Sequence, residues 1–423
     1  MDQTSTQPSC CTEMAAARPM LSRRGLFGAA ALAGTTTVIG DAVLQTAAAS
    51  LAPSPSVLVV LSMRGAADGM SLAVPYGDPV YYQARPKIAI PKGKLLATDG
   101  FFGLHPRLKP LLPLWNGGKL AVVHAAGLPS VSRSHFAAME EMEDAEPGSS
   151  ARTGWLNRLI GTDAISSPLQ AVNVGGAAPP SSLYGPEHFM SLSKVDQVQI
   201  AGDGKGRVPR GRVTSLHTMW DGQKTPLGAA ASSTFSAVKG FKPVTSTAAG
   251  PRNGATYPKG SLGKAMAVAA RIVRGDAGVS VITIDQGAWD MHTGLGTLEY
   301  GAMIRNTEEF AKCVAAFFTD IGGLASKVTL VTMSEFGRRV KENANVGLDH
   351  GYGNVMFVAG AGVKGGKYYA NWPTITNDVD ADLLVTTDYR SVLSEVVAAR
   401  FTTSTSQVFP GFTRERVGLM VGQ

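Results

Sequence analysis

Val279-Ser280-Val281-Ile282-Thr283-Ile284 is a mainly apolar, β-branched run of the kind that is buried on both faces of a parallel sheet. It gives way to Gly287, Trp289, Asp290, Met291, His292 and Gly294. A carboxylate and an imidazole therefore stand just past the C-terminal end of a predicted strand, where open α/β sheets place their ligands. The same pattern recurs at Val57–Leu61, Lys119–Ala125, Leu169–Val174, Val328–Met333 and Val355–Val358. Helical stretches fall between these runs. They are predicted from His105 to Trp115, from Ser134 to about Glu146, over Gly154–Ile160, over Ser261–Arg274, over Thr297–Ile321 and over Tyr389–Arg400. Alternating strands and helices define an α/β fold with a mainly parallel sheet flanked by helices. No internal repeat, phosphate-cradling glycine fingerprint or G-x-S-x-G elbow is present.

The 423 residues, 44% hydrophobic and 17% charged, suffice for one large core. The formal net charge of +7 lies in the body of the chain, because Arg18, Arg23 and Arg24 are balanced by Asp2, Glu13 and Asp41. Such a balance is compatible with an anionic substrate or an anionic cell surface. No basic run is interleaved with aromatics, so nucleic acid is not an expected partner. Ser22-Arg23-Arg24-Gly25-Leu26-Phe27 is a twin-arginine motif, followed by a mildly apolar stretch from Gly28 to Gly40 and by Ala47-Ala48-Ala49. Asp41 interrupts the apolar stretch, so no stable membrane span is expected. The reading is a leader at residues 1–49 and a single domain at 50–423, with an irregular insertion or cap at about 181–259. It implies twin-arginine export, with that export machinery as a partner, to the periplasm, the cell surface or the medium. Cys10 and Cys11 fall in the leader and only Cys313 remains, too few for an internal disulfide. A protein exported already folded fits that economy.

The residues that can carry chemistry collect at strand ends. Asp68, Asp290 with His292, Glu335, and Asp349 with His350 all follow predicted strands or their loops. Clustered carboxylates repel unless a cation relieves them, and carboxylates with imidazoles suit a divalent metal. Arg64, Arg338 and Arg339 would relieve the same repulsion. An Asp-capped turn beside an exposed histidine would leave the same sequence at Asp349-His350-Gly351, and Asp68-Gly69 is also an ordinary turn pair. Ser134, between Arg133 and His135, stands at a helix start. It can serve as an N-cap, or as a nucleophile or anion binder there. His105 and His124 read as structural.

Arg64-x-x-x-Asp68-Gly69-Met70, Gly103-Leu104-His105-Pro106, Arg133-Ser134-His135-Phe136, Trp289-Asp290-x-His292, Ser334-Glu335-Phe336-Gly337-Arg338, Asp349-His350-Gly351 and Thr386-Thr387-Asp388-Tyr389-Arg390-Ser391 occur in one order. As a set, from Val57 to Phe401, they resemble the family known as domain of unknown function 1501, placed in the alkaline-phosphatase and sulfatase superfamily. The resemblance implies a doubly wound, alkaline-phosphatase-like α/β sheet with divalent ions, Zn, Mn, Mg or Ca, at the strand ends. It implies metal ligands at Asp68, Asp290, His292, Asp349 and His350, with Glu335 or Asp388 as a substitute ligand. Ser134 is then the nucleophile, with Ser132 in reserve and Arg133 or Arg338 holding a small anionic ester. Three departures stand out: Asp290 and His292 are spaced by one residue where phosphatases usually have a wider gap, no histidine follows His350, and the formylglycine signature of type-one sulfatases is absent. The expectation is an exported metal-dependent hydrolase of phosphate or sulfate esters, or a non-catalytic binding or assembly protein of the same fold at the cell surface.

Overall fold

The computed structural model describes residues 52–163, 167–175, 178–200 and 211–421, with the backbone of residues 36–39 and 42–45. The twin-arginine motif and the alanines at 47–49 lie outside the described residues. The strands are β1 (Thr36–Ile39), β2 (Ala42–Gln45), β3 (Val57–Met63), β4 (Ala73–Val74), β5 (Gly103–Leu104), β6 (Leu120–Gly127), β7 (Ala171–Val174), β8 (Met190–Leu192), β9 (Val281–Gln286), β10 (Val328–Met333), β11 (Asn354–Gly360), β12 (Lys367–Tyr369) and β13 (Thr387–Asp388). All but β4 and β5 join one sheet, in the order β1-β2-β8-β7-β9-β3-β10-β11-β6-β12, with β13 also on β6. From β8 to β10 every pairing is parallel. β11 runs antiparallel to both β10 and β6.

The six predicted runs are all strands, because β-branched apolar residues fill a sheet covered on both faces. Val57, Val59 and Leu61 of β3 pack with Met266, Phe310 and Phe317, from the helices Ser261–Gly275 and Ala302–Ile321. Leu58 and Val60 point the other way, toward Leu156, Val392 and Val396 from the helices Trp155–Ile160 and Tyr389–Arg400. The period-two alternation of β3 thus divides the core into two layers with helices on both faces. This is a mixed α/β fold with a large, mostly parallel sheet.

Two local readings differ. The stretch after His105 is a 3-10 helix, Pro106–Leu111, before a short α-helix, Leu112–Asn116. Pro110 and Pro113 each remove a donor that a continuous α-helix would use. Residues 181–259 carry β8 and the helices Gly211–Trp220, Pro226–Gly240 and Lys242–Ser246. Their small residues gave no strong apolar stripe to read. Among the described residues, no helix is long and apolar enough to cross a membrane.

Candidate metal centre

β3, β6, β9 and β10 end at one edge of the sheet, and the antiparallel β11 begins there. The exit loops of four strands are therefore neighbours, and the one after β10 is also the entry to β11. They pack closely enough that two glycines have no room for a side chain. A Cβ on Gly65, whose φ is +107°, would lie 2.5 Å from the Asp290 backbone nitrogen. One on Gly351 would lie 2.3 Å from the Arg338 carbonyl carbon. Gly351 is thus required by close approach. Arg339 N–H donates to Asp349 O (3.0 Å) and Gly351 N–H to Gly337 O (2.9 Å), which lays the Asp349-His350 loop along the exit of β10.

Three imidazoles meet at this edge. His350 Nε2 is 3.0 Å from His135 Nε2 and 2.9 Å from His292 Nε2. Asp290 borders all three: its carboxylate oxygens lie 3.2 Å from His292 Nε2, 3.6 Å from His350 Nε2 and 3.8 Å from His135 Nε2. His135, Asp290 and His350 each offer a ligand atom within 4.8 Å of the others. The far nitrogen of every ring faces an oxygen. His135 Nδ1 meets Glu335 Oε1 at 2.8 Å, His292 Nδ1 meets Asp349 Oδ1 at 2.8 Å, and His350 Nδ1 meets the Arg133 carbonyl at 2.9 Å.

Both carboxylates are ionised partners. Burial opposes the charge on Glu335, but the hydrogen bonds from His135 and the Gly65 N–H (2.8 Å) outweigh it and hold its acidity below the usual carboxylate range. Burial likewise opposes Asp349, and the hydrogen bonds of His292 and Asn343 outweigh it. An ionised carboxylate and a carbonyl only accept, so each Nδ1 carries the hydrogen and Nε2 is the ring atom left to offer a lone pair to an ion. Lone pairs about 3 Å apart repel, and a proton on His350 Nε2 could bridge one of its two contacts but not both. A divalent cation among the Nε2 atoms and Asp290 relieves the repulsion. A carboxylate or carbonyl behind each ring is the usual support of histidines that hold a metal. The residues present fit such an ion.

Asp290 is further fixed by Arg338, whose Nη2 lies 2.6 Å from Oδ1. Burial opposes its ionisation, and the hydrogen bond and charge of Arg338 outweigh it, holding its pKa well below the usual carboxylate range. Arg338 is itself buried. Its Nε donates to Ala66 O (2.7 Å), Nη1 to Leu348 O (2.9 Å) and Nη2 also to Gly65 O (2.6 Å). Its work is to knit the loops together, so the structure corrects the expectation that it grips a substrate.

Other expectations are also redistributed. Asp68 is not in the histidine cluster: Arg85 Nη1 lies 2.6 Å from its Oδ2 and Nη2 3.0 Å from its Oδ1, so both oxygens are taken. Glu335 and Asp349 orient histidines. Arg133 contributes its carbonyl, while its guanidinium turns to Asp382 at 2.5 Å. Ser134 is the exposed N-cap residue of the helix His135–Asp144, and its side chain makes no capping bond. His135, expected with Ser134 as a catalytic residue, supplies the third imidazole. Arg85 and Asn343 were not singled out in the sequence. Asn343 Nδ2 donates to the His292 carbonyl (2.8 Å) and to Asp349 (3.2 Å).

The fold and site define an α/β protein with a candidate metal centre at the strand ends, formed by His135, Asp290 and His350 with His292 beside the last two. Residues 119–398 match the family described as "Protein of unknown function (DUF1501)", and the chain belongs to that family. No curated protein shows significant similarity to it. Among solved structures it is similar to the lipoteichoic acid synthase LtaP from Listeria monocytogenes, at 8% identity over 75% of this chain and 68% of that one, with a TM-score of 0.32. It is also similar to Ps i-CgsB, at 12% identity over 85% of this chain and 74% of that one, with a TM-score of 0.34.

Proposed function

We propose that the chain is an exported, metal-dependent hydrolase of phosphate or sulfate esters, alkaline-phosphatase-like in architecture. The observation that carries this reading is the meeting of His135, His292 and His350 Nε2 atoms with Asp290, each ring already tied at Nδ1. Export rests on the twin-arginine motif alone. His135, His292, His350 and Asp290 would hold the ion, and an imidazole-rich set suits Zn or Mn better than Mg or Ca. When bound, the ion supplies a Lewis acid that polarises an ester oxygen. Glu335, Asp349 and the Arg133 carbonyl keep the rings in register. Ser134 is the nucleophile candidate: its hydroxyl caps nothing, and the helix behind it presents its N-terminal end, which favours negative charge.

A metal-binding protein without turnover is the competing reading. The internal pairing of Arg133 and Arg338, the side chains expected to hold an anion, favours it. Metal analysis of the purified chain, followed by a panel of phosphomonoesters, phosphodiesters and sulfate esters, separates the two. Hydrolysis that disappears on chelation and in His350→Ala supports the hydrolase. A stoichiometric ion with no hydrolysis across the panel selects the binding protein. Full activity in Ser134→Ala removes the serine route, and absence of any bound ion removes both readings.

A further inference from the structure

Beside the histidine cluster lies a cleft of about 470 Å³ that opens onto His135 and Glu335. Two half-exposed rings stand in its wall, Phe136 (41% exposed) and Tyr184 (46%). Glu140, Glu143 and Asp285 stand with them. The cation of the lining is Arg64, and it is engaged: Nη1 pairs with Glu143 and Nε lies 3.1 Å from Asp285 Oδ1. Glu143 is held in place in turn by the Ser181 hydroxyl, at 2.5 Å. At the rim Glu140 meets Arg152 at 2.9 Å, but both are more than half exposed, so the pair is loose and water-screened. The cations nearby are turned elsewhere, with Arg338 on backbone carbonyls and Asp290, and Arg133 and Arg339 on Asp382.

A dianionic group entering this cleft would meet carboxylates and find its arginine already neutralised. A substituted ammonium would find aromatic faces and carboxylates together, the combination that recognises such cations. We propose that the cleft is a subsite for an ammonium or quaternary ammonium group on the alcohol side of the ester. This assignment rests on the hydrolase reading for its place beside the reaction, but the subsite itself requires neither metal nor turnover. The preferred substrate class is then a phosphodiester or sulfate ester of an amino alcohol, in preference to a simple phosphate monoester.

The test is calorimetric titration of the chelated full-length chain with benzyltrimethylammonium, with its uncharged isostere neopentylbenzene and with inorganic phosphate. The expected result is saturable binding of the cation at one site, weakened at least fivefold in Tyr184→Ala and in Glu140→Gln, with no phosphate binding. Tyr184→Phe should retain most of the affinity, which separates loss of the ring from loss of the fold. Equal binding of the uncharged isostere, unchanged affinity in both variants, or absence of cation binding by the folded chain would overturn the proposal. If the metal-loaded chain hydrolyses esters but does not bind the cation, the subsite falls alone. If it binds the cation with these sensitivities but hydrolyses nothing, the hydrolase reading falls and the cation site stands.

Discussion

Arg85 and Asp68 form a buried ion pair whose removal should be felt across the site edge. Their side chains are 0% and 2% exposed. Besides its two contacts to Asp68, Arg85 donates to Val340 O (2.8 Å), Arg339 O (3.0 Å) and the Ser71 hydroxyl (3.3 Å). The pair therefore joins the loop after β3 to the loop after β10. Burial works against ionisation of Asp68, and Arg85 outweighs it, holding the carboxylate below its ordinary range. Arg85→Met would leave that charge in a dry site and strip two carbonyls of a donor, at a cost of about 3–5 kcal/mol. Asp68→Asn should cost a similar amount by stranding the guanidinium. The double variant Arg85→Met/Asp68→Asn should cost less than the two singles together by about 2 kcal/mol or more, since no lone charge remains. Urea unfolding read by circular dichroism gives all three values. Metal content supplies a second readout. Because both Asp68 oxygens serve Arg85, folded Asp68→Asn should bind the same number of ions as the parent. An Arg85→Met cost below about 1 kcal/mol, or loss of metal by folded Asp68→Asn, would refute the structural assignment and restore Asp68 as a ligand.

Three further outcomes follow from the same geometry. Burial pushes His124 down to about 4 and, with the charge of Arg107 added, His105 to about 3. Each ring accepts a backbone N–H at Nδ1, from Ala125 (2.8 Å) and Arg107 (3.0 Å), and that acceptor is lost on protonation. The unfolded chain takes up these protons near pH 6.5, so their contribution is fully present above that pH and declines as pH falls toward the folded values; unfolding free energy should drop by about 2 kcal/mol per ring between pH 6.5 and 5, measured by urea titration at each pH. Glu335→Gln and Asp349→Asn should each weaken metal binding roughly 10–100-fold with little loss of fold, measured by competition with a chromogenic chelator. Buried Glu395 accepts the backbone N–H groups of Val417 (2.7 Å), Gly418 (2.7 Å) and Leu419 (2.9 Å). Glu395→Leu should cost about 3 kcal/mol and speed hydrogen exchange at those three amides above all others.

The strands and the general position of the site could be read from the chain because burial on two faces demands long β-branched runs, and Val57–Leu61 or Val328–Met333 could hardly be anything else. The helices Ser261–Gly275 and Ala302–Ile321 were legible for the same reason, each carrying a strong apolar stripe. The insertion hid its helices because Ala, Ser, Thr and Gly mark no face clearly. Arg85 was invisible because nothing local in Tyr82-Gln83-Ala84-Arg85 announces a partner at Asp68. That pairing is made by the fold. The direction of β11 did leave a trace. Parallel neighbours need a crossover, usually a helix, and the residues between Met333 and Asn354 contain no helical pattern, so an antiparallel return was the expectation available.

That reversal explains why the ligand set looked incomplete in the sequence. Counting histidines after His350 assumes that chain order mirrors spatial order around the site. β11 breaks the assumption, because it brings its entry loop to the edge where the other strands exit, and it pairs with β6, whose exit leads to His135. The early histidine thereby becomes a neighbour of the late one. The supports behind the rings follow the same logic. His135 from the β6 exit is held by Glu335 from the β10 exit. His292 from the β9 exit is held by Asp349 from the β11 entry, and His350 from that entry is held by the Arg133 carbonyl before the helix. Each ring is oriented by a loop other than its own. The three contacts therefore brace three loops against one another, so the pre-positioning of the Nε2 atoms comes from the sheet itself. This favours an ion entering a site already built over one that must gather its ligands from mobile loops.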